Sequence, residues 1–230
     1  MMNLVLRLKE QNRLTIVILF ILTLAVCITL VALRVHFTSK VTFVFLVWNI
    51  FLAIIPYIIS TFLVLRHEKF QNRWLLVCPF LAWLCFFPNA PYILTDLFHL
   101  RPRTGVPFWY DLALILFFAW SGLMLGYASL MDMQMIITRH FGRITGWIVV
   151  IGSLILGSFG IYLGRYLRWN SWDVLSSPFA LIKDIAIRVL DPADHPRTYG
   201  VTLIFSLFLI IGYLMLSQFT KAYHGRTNIQ

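Results

Sequence analysis

The chain has 230 residues, 60% of them apolar and 12% charged, with a formal net charge of +10. Soluble globular domains run at about 45–50% apolar and about 25% charged, so the composition excludes a water-soluble enzyme, a disordered chain and a small disulfide scaffold. The excess of Lys and Arg would suggest nucleic acid in a soluble protein. Here the basic residues cluster at the ends of apolar runs, where they meet anionic lipid head groups, and no nucleic-acid motif remains once the runs are set aside.

In chain order, six apolar runs reach the length that a hydrocarbon core of about 30 Å demands at about 1.5 Å per residue. The first, Leu14 to Leu33, follows Arg7, Lys9 and Arg13. It exceeds a signal-peptide core and no small-residue cleavage site follows, so it reads as a retained span. Val41 to Leu65 is the second, with Pro56 as a kink. The third is Leu75 to Leu94, the fourth Leu112 to Met131, the fifth Trp147 to Gly164 and the sixth Tyr199 to Phe219. Trp74, Trp109 and Trp147 stand at span ends, the depth that amphipathic rings prefer.

The one long connection lies between the fifth and sixth spans. Within it Pro178 to Leu190 is too short to cross and gathers Lys183, Asp184 and Arg188 on one arc, as an amphipathic helix in the interface plane does. Ser177 and Asp191-Pro192 mark its ends. Cys27, Cys78 and Cys85 all lie inside apolar runs and imply neither disulfide nor metal. The expected fold is an all-α polytopic membrane bundle, a single integral membrane domain over 1–230. Lys and Arg divide almost evenly between the two sides, and setting aside Arg165 and Arg168 as functional leaves the excess on the side of both termini, which is then cytoplasmic.

Polar chemistry collects at three places. The third span contains Phe87-Pro88-Asn89-Ala90-Pro91-Tyr92, whose prolines leave the carbonyls of Leu84 and Phe87 without their helical partners. Asn89 can repair such a break, and the segment reads either as a packing kink or as a broken helix lining a site. Next come Thr95, Asp96, His99, Arg101 and Arg103, then Tyr110 and Asp111 as the fourth span begins. Asp96 and His99 are three residues apart and share a helical face, where an acid and an imidazole can hold a cation or move a proton. Structural pairing of each aspartate with a nearby arginine is the competing reading.

The fifth span ends in Gly160-Ile-Tyr-Leu-Gly-Arg-Tyr-Leu-Arg-Trp-Asn-Ser-Trp-Asp173. Arg165 and Arg168 fall one helical turn apart, and Tyr162, Arg165 and Trp169 recur at helical spacing. Two forked guanidinium groups suit a phosphate or carboxylate, and Asn170, Trp172 and Asp173 extend the polar set; interfacial anchoring is the alternative. By the alternation of spans, the ends of the third and fifth and the start of the fourth share one membrane face, extracytoplasmic when the termini are inside. Asp132 falls on the opposite face, with Arg139 or Arg143 as the expected partner. Gly122 and Gly126 in span four, with Ser153, Gly157, Gly160 and Gly164 in span five, predict close packing of those two helices.

At these residues the chain resembles a known family. FPNAPYILTDLFHL (Phe87 to Leu100), VPFWYDL (Val106 to Leu112) and GIYLGRYLRWNSWD (Gly160 to Asp173) are similar to domain of unknown function family 1361, a group of bacterial multi-pass integral membrane proteins, and the likeness runs from about Leu75 to Ser217. The resemblance implies a bacterial cytoplasmic membrane and supplies no reaction, ligand or cofactor. The functional expectation is a polar pocket on the outer face that binds, or modifies, an anionic lipid or lipid-linked envelope head group. In it Arg165 and Arg168 hold the anion, Asp96, His99 and Asp111 bind a cation or act as acid and base, and Asn89, Tyr92, Tyr162, Trp169, Asn170, Trp172 and Asp173 complete the lining. A structural or assembly subunit and a small-solute or ion transporter are the alternatives.

Overall fold

The computed structural model describes residues 4–10, 13–66 and 72–227. In chain order these form α1 (Leu4–Glu10), α2 (Leu14–Thr38), α3 (Phe45–Leu65), a 3₁₀ helix (Arg73–Leu76) running into α4 (Val77–Phe86), and the one-turn α5 (Asn89–Tyr92). A second 3₁₀ helix (Ile93–His99) follows, then α6 (Phe108–Phe141), α7 (Arg143–Tyr166), α8 (Asp173–Ser176), α9 (Pro178–Leu190) and α10 (Pro196–Thr227). No strand occurs among the described residues. Six helical segments, Leu14–Thr38, Phe45–Leu65, Arg73–His99, Phe108–Phe141, Arg143–Tyr166 and Pro196–Thr220, are long and apolar enough to cross a membrane. The fold is the expected all-α polytopic bundle, and α9 has the bounds that its sequence predicts.

The helices overrun the apolar stretches that seed them. Helix α2 continues through Arg34 to Thr38 before Ser39 closes it in the left-handed region (φ 54°). Helix α6, at 34 residues, measures about 51 Å at 1.5 Å per residue and outreaches a core of about 30 Å. It stops at Gly142, whose φ of 90° is open to glycine and lets α7 begin at once.

The chain divides into two compact units, Met1–Trp147 and Ile148–Gln230, with the boundary inside α7. In the first, α6 is the hub: α2, α3, α5 and the Ile93–His99 helix all pack on it, around Leu46, Ala53, Ile93, Leu114, Ile115 and Phe118.

Two ion pairs tie α2 to α6. Arg13 grips Asp132 through both terminal nitrogens, Nη1 at 2.8 Å from Oδ2 and Nη2 against Oδ1. Ser60 of α3 adds a hydroxyl at 2.9 Å to the same carboxylate. Arg34 holds Asp111 with Nε at 2.7 Å and Nη2 at 3.1 Å, both side chains buried. The two helices are therefore antiparallel. Arg13 to Arg34 and Asp111 to Asp132 each span 21 residues with no charge between, about 31 Å of helix, which matches the hydrocarbon thickness of about 30 Å. The pairing overturns the expectation that Asp132 meets Arg139 or Arg143. Arg139 lies two turns further along the same helix, out of reach, whereas the start of α2 delivers Arg13 directly.

The small residues of α6 are also used differently from the expectation. A Cβ on Gly122 would lie 2.7 Å from the Ala90 carbonyl oxygen and 2.8 Å from Ile93 Cδ1, and one on Gly126 would lie 3.0 Å from Ala90 Cβ. The missing side chains seat the proline-broken third span, the partner that span five was expected to be. Because the obstacle at Gly122 is backbone, Gly122→Ala is expected to lower the unfolding temperature, an overpacking cost of about 1–3 kcal/mol. Gly152→Ala, where a Cβ meets nothing within 4 Å, is expected to leave it unchanged or raise it, since alanine is the better helix former. A thermal melt of the two variants in detergent compares them directly.

Candidate functional site

The break in span three begins with a displaced hydrogen bond. Ala90 N–H turns to the Phe87 carbonyl at 3.1 Å in place of Phe86, its α-helical acceptor. The Phe86 oxygen then takes the Asn89 side-chain amide at 2.9 Å. Asn89 thus repairs the break as expected, at Phe86 rather than at the two carbonyls that proline chemistry alone orphans. The chain resumes as seven residues of 3₁₀ helix, unusually long for a form whose hydrogen bonds are poorly aligned. At three residues per turn, positions i and i+3 stack one above the other.

That stacking aligns Asp96 with His99, Nδ1 of the imidazole 3.8 Å from Oδ1. Asp96 is 1% exposed, and its other oxygen accepts a hydrogen bond from Asn49 of α3 at 2.8 Å. The His99 side chain is 43% exposed, yet its Nδ1 is buried and makes no hydrogen bond. The open part of the ring is therefore away from Asp96. Phe45 lies 5.2 Å from the imidazole, centroid to centroid. Arg103 donates to the His99 carbonyl at 3.2 Å.

A second set adjoins through aromatic rings. Phe43, fully buried, lies 6.2 Å from Phe45 and carries the guanidinium groups of Arg34 at 4.6 Å and Arg103 at 5.0 Å. Such cation–ring contacts gain strength when water is excluded. The result is one contiguous array, from Asp111 and Arg34 through Phe43 and Phe45 to His99, Asp96 and Asn49. The Tyr110 hydroxyl donates to the Leu30 carbonyl at 2.8 Å and pins the start of α6 to α2. Tyr92 is half-buried, and its carbonyl accepts the Thr95 hydroxyl at 2.7 Å. Of the three expected acid–base groups, Asp96 and His99 come together, while the Asp111 carboxylate is held by Arg34. No three His, Cys, Asp or Glu side chains form a group that could hold a metal among the described residues.

In the second unit, α7 ends at Tyr166 and Arg168 adopts φ 62°, a left-handed conformation uncommon outside glycine. Arg165 and Arg168 therefore do not share a helical face, contrary to their spacing, because the helix stops between them. Trp169 N–H reaches back to the Leu163 carbonyl at 3.2 Å. Tyr162 and Tyr166 stack at 5.3 Å, and Arg197 lies over the Tyr166 ring at 5.7 Å. The Trp169 indole donates to Asp184 at 2.9 Å, and Arg188 donates to the Asp184 carbonyl at 2.8 Å. Helix α9 thus turns Asp184 and Arg188 toward the protein and leaves Phe179 85% exposed, with Ile182, Val189 and Leu190 also open. Trp172 is exposed.

Asn170 and Asp173 build a turn. The Asp173 carboxylate accepts the Asn170 backbone N–H at 2.7 Å and its amide at 3.3 Å, and the Ser176 hydroxyl at 3.0 Å. The Asn170 backbone N–H foremost, helped by the side-chain donors of Ser176 and Asn170, holds Asp173 below the usual carboxylate range against the opposing effect of desolvation.

Arg34 and Arg13 are not marked as site residues by the sequence, nor are Asn49 and Arg188, although Arg13 reads there as a span-flanking charge and Arg188 as part of the interfacial arc. A signal was present for the first two: the 21-residue interval between the arginines is repeated between Asp111 and Asp132.

Helices that cross a membrane in six segments, with their scarce charges paired inside the bundle, define a multi-pass integral membrane protein. The chain belongs to the family described as Protein of unknown function (DUF1361), whose family model matches residues 48–212. The match takes in Asn49, Asp96, His99, Asp111, Asp132, Arg165 and Arg168 and begins after Arg13 and Arg34. No curated protein and no solved structure matches the chain.

The Asp173 turn gives a pH dependence. A carboxyl held below its ordinary value stabilises the fold fully above the ordinary carboxylate pKa of about 3.9, and that contribution is lost as pH falls through the lowered value. The backbone amide resonance of Asn170 is expected to titrate below the usual carboxylate range in NMR spectra. Asp173→Asn is expected to abolish that titration.

Proposed function

We propose that the protein binds the anionic head group of a lipid or lipid-linked envelope precursor in a bacterial cytoplasmic membrane, with both termini cytoplasmic, and that His99 exchanges a proton with it. The observation that carries this reading is the buried Asp96 carboxylate divided between Asn49 and a half-exposed imidazole. An ionisable group inside a membrane protein is costly and marks function more often than framework. With one Asp96 oxygen fixed by Asn49, the other lies 3.8 Å from His99 Nδ1, an electrostatic contact rather than a hydrogen bond that holds this nitrogen toward the carboxylate. The exposed side of the ring is left for the ligand.

Arg101 is exposed and Arg103 half-buried, and both supply positive charge next to His99. Phe98 and Trp109, exposed in the same unit, suit the level of lipid head groups. In the second unit, Arg165 and Arg168 are proposed as separate contacts to anionic groups, with Tyr162, Trp169 and Trp172 beside them and Asn170 and Asp173 fixing the loop. Asn89 and Tyr92 serve by shaping the backbone that carries Asp96. A structural or assembly subunit is the second reading, and the exposed apolar side of α9 favours it, since such a face can seat a partner protein.

Asp96→Asn and His99→Gln preserve shape and remove the acid or the imidazole. Each is expected to insert normally and to fail to restore a deletion strain, leaving the same lipid or envelope precursor to accumulate as in the deletion. General acid–base catalysis contributes about 10²–10⁴-fold, so the accumulation should be plain by mass spectrometry of extracted lipids. A normal profile in both variants would reject the reading.

A further inference from the structure

The surface around the Asp96–His99 pair changes character along α3. This helix supplies two contacts to the pair: Asn49 donates to Asp96 at 2.8 Å, and Phe45 lies 5.2 Å from the imidazole, centroid to centroid. Asn49 comes four residues after Phe45, one turn and about 6 Å further along the helix. The 21 residues of α3 carry no charge. They begin two residues after Phe43, the ring that carries Arg34 of the Arg34–Asp111 clamp at 4.6 Å, and the spacing of the two clamps puts this one at the hydrocarbon edge. Asp96 therefore lies inside the apolar layer, with His99 at its edge.

At 3.6 residues per turn, Trp48, Phe51, Ile58 and Phe62 fall within an arc of about 80° on α3, and each is 50–58% exposed. Ala53 and Tyr57 face the opposite way and are buried, as does Asn49. Phe45, 37% exposed, stands between the open stripe and the core-facing side. The imidazole beside Phe45 is thus reached across the stripe, the side of α3 that meets acyl chains. Trp48 and Phe51, their centroids 5.4 Å apart, form the end of the stripe nearest to it.

Toward the loop the surroundings of His99 are cationic instead. Arg103 donates to the His99 carbonyl at 3.2 Å and lies over Phe43 at 5.0 Å, level with the clamp, and Arg101 is exposed beyond it. From the loop inward the order is guanidinium, imidazole, aromatic rings, aliphatic stripe. A membrane lipid presents its parts in the same order: anionic head group, ester or phosphodiester linkage at the hydrocarbon edge, chain below. A soluble anion would use the guanidinium groups and the imidazole and leave the aromatic end of the stripe idle.

We infer that the site takes its ligand sideways from the bilayer, as an intact lipid whose chain lies on the Phe45, Trp48 and Phe51 side of α3. Its linkage meets His99, and its head group stays beside Arg101 and Arg103. In assigning the head group this rests on the reading above; the seat for the chain is what it adds.

The test uses the full chain in phosphatidylcholine nanodiscs, with phosphatidylglycerol carrying a photoreactive acyl chain as the probe. Cross-linking to the peptide that holds Trp48 and Phe51 is expected to saturate, and to be displaced by unlabelled phosphatidylglycerol but not by glycerol phosphate. Trp48→Ala with Phe51→Ala is expected to raise the half-saturating probe concentration about tenfold, a loss of about 1.4 kcal/mol. Both side chains are exposed, so the double variant should melt with the wild-type protein; Trp48→Leu alone, with a smaller rise, carries the test if it does not. Trp120→Ala, which removes a ring 61% exposed on α6, is expected to leave the half-saturation unchanged. Labelling that never saturates, or that weakens as much in Trp120→Ala as in the double variant, reduces the stripe to ordinary lipid contact and overturns the seat. Displacement by glycerol phosphate overturns entry from the bilayer. Neither result alters the precursor accumulation expected of Asp96→Asn and His99→Gln. A normal lipid profile in those two variants, with saturable labelling here, would reject proton exchange at His99 and keep the seat.

Discussion

Two arginine–aspartate pairs, one buried and one partly buried, hold the first span in place. Helix α2 offers the protein little apolar surface: along its 25 residues only Cys27, Val31 and Arg34 are buried. In lipid no hydrophobic force drives helices together, since acyl chains are as apolar as leucine. What fixes α2 against α6 is therefore polar, Arg13 on Asp132 at one end and Arg34 on Asp111 at the other. The matched 21-residue intervals place both clamps where the hydrocarbon begins and ends, so that neither helix carries an unpaired charge across the bilayer. Replacing one partner of such a pair strands the other, at about 3–5 kcal/mol.

One clamp also builds the candidate site. Arg34, held by Asp111, stacks on Phe43, and Phe43 leads through Phe45 to the imidazole of His99. The same α6 that receives the clamps gives up two side chains, at Gly122 and Gly126, so that the broken third span can lie against it. That close approach sets the start of the 3₁₀ helix, and its three-residue turn puts Asp96 over His99. The acid–imidazole pair is thus positioned from two directions, by the clamp at the end of α2 and by the glycines in the middle of α6.

Much of the framework was legible in the sequence because it depends on local quantities: the length of an apolar run, the effect of proline on a helix, the face shared by residues three apart. The six spans, the bounds of α9 and the Asp96–His99 pairing follow from these. The clamps were not legible in the same way. Arg13 and Arg34 resemble the basic residues that flank any span, and their partners lie 119 and 77 residues away. The Arg165–Arg168 spacing misled for a different reason, since nothing in Arg-Tyr-Leu-Arg-Trp announces that Arg168 will leave the helix in a left-handed conformation.

The clamp account is tested most directly by charge reversal at Arg34 and Asp111, with thermal unfolding in lipid nanodiscs as the readout. Arg34→Asp and Asp111→Arg are each expected to lose stability by about 3 kcal/mol or more, and the double reversal to recover a large part of the loss. Single variants that melt with the wild-type protein, or a double reversal as unstable as the two losses combined, would contradict it.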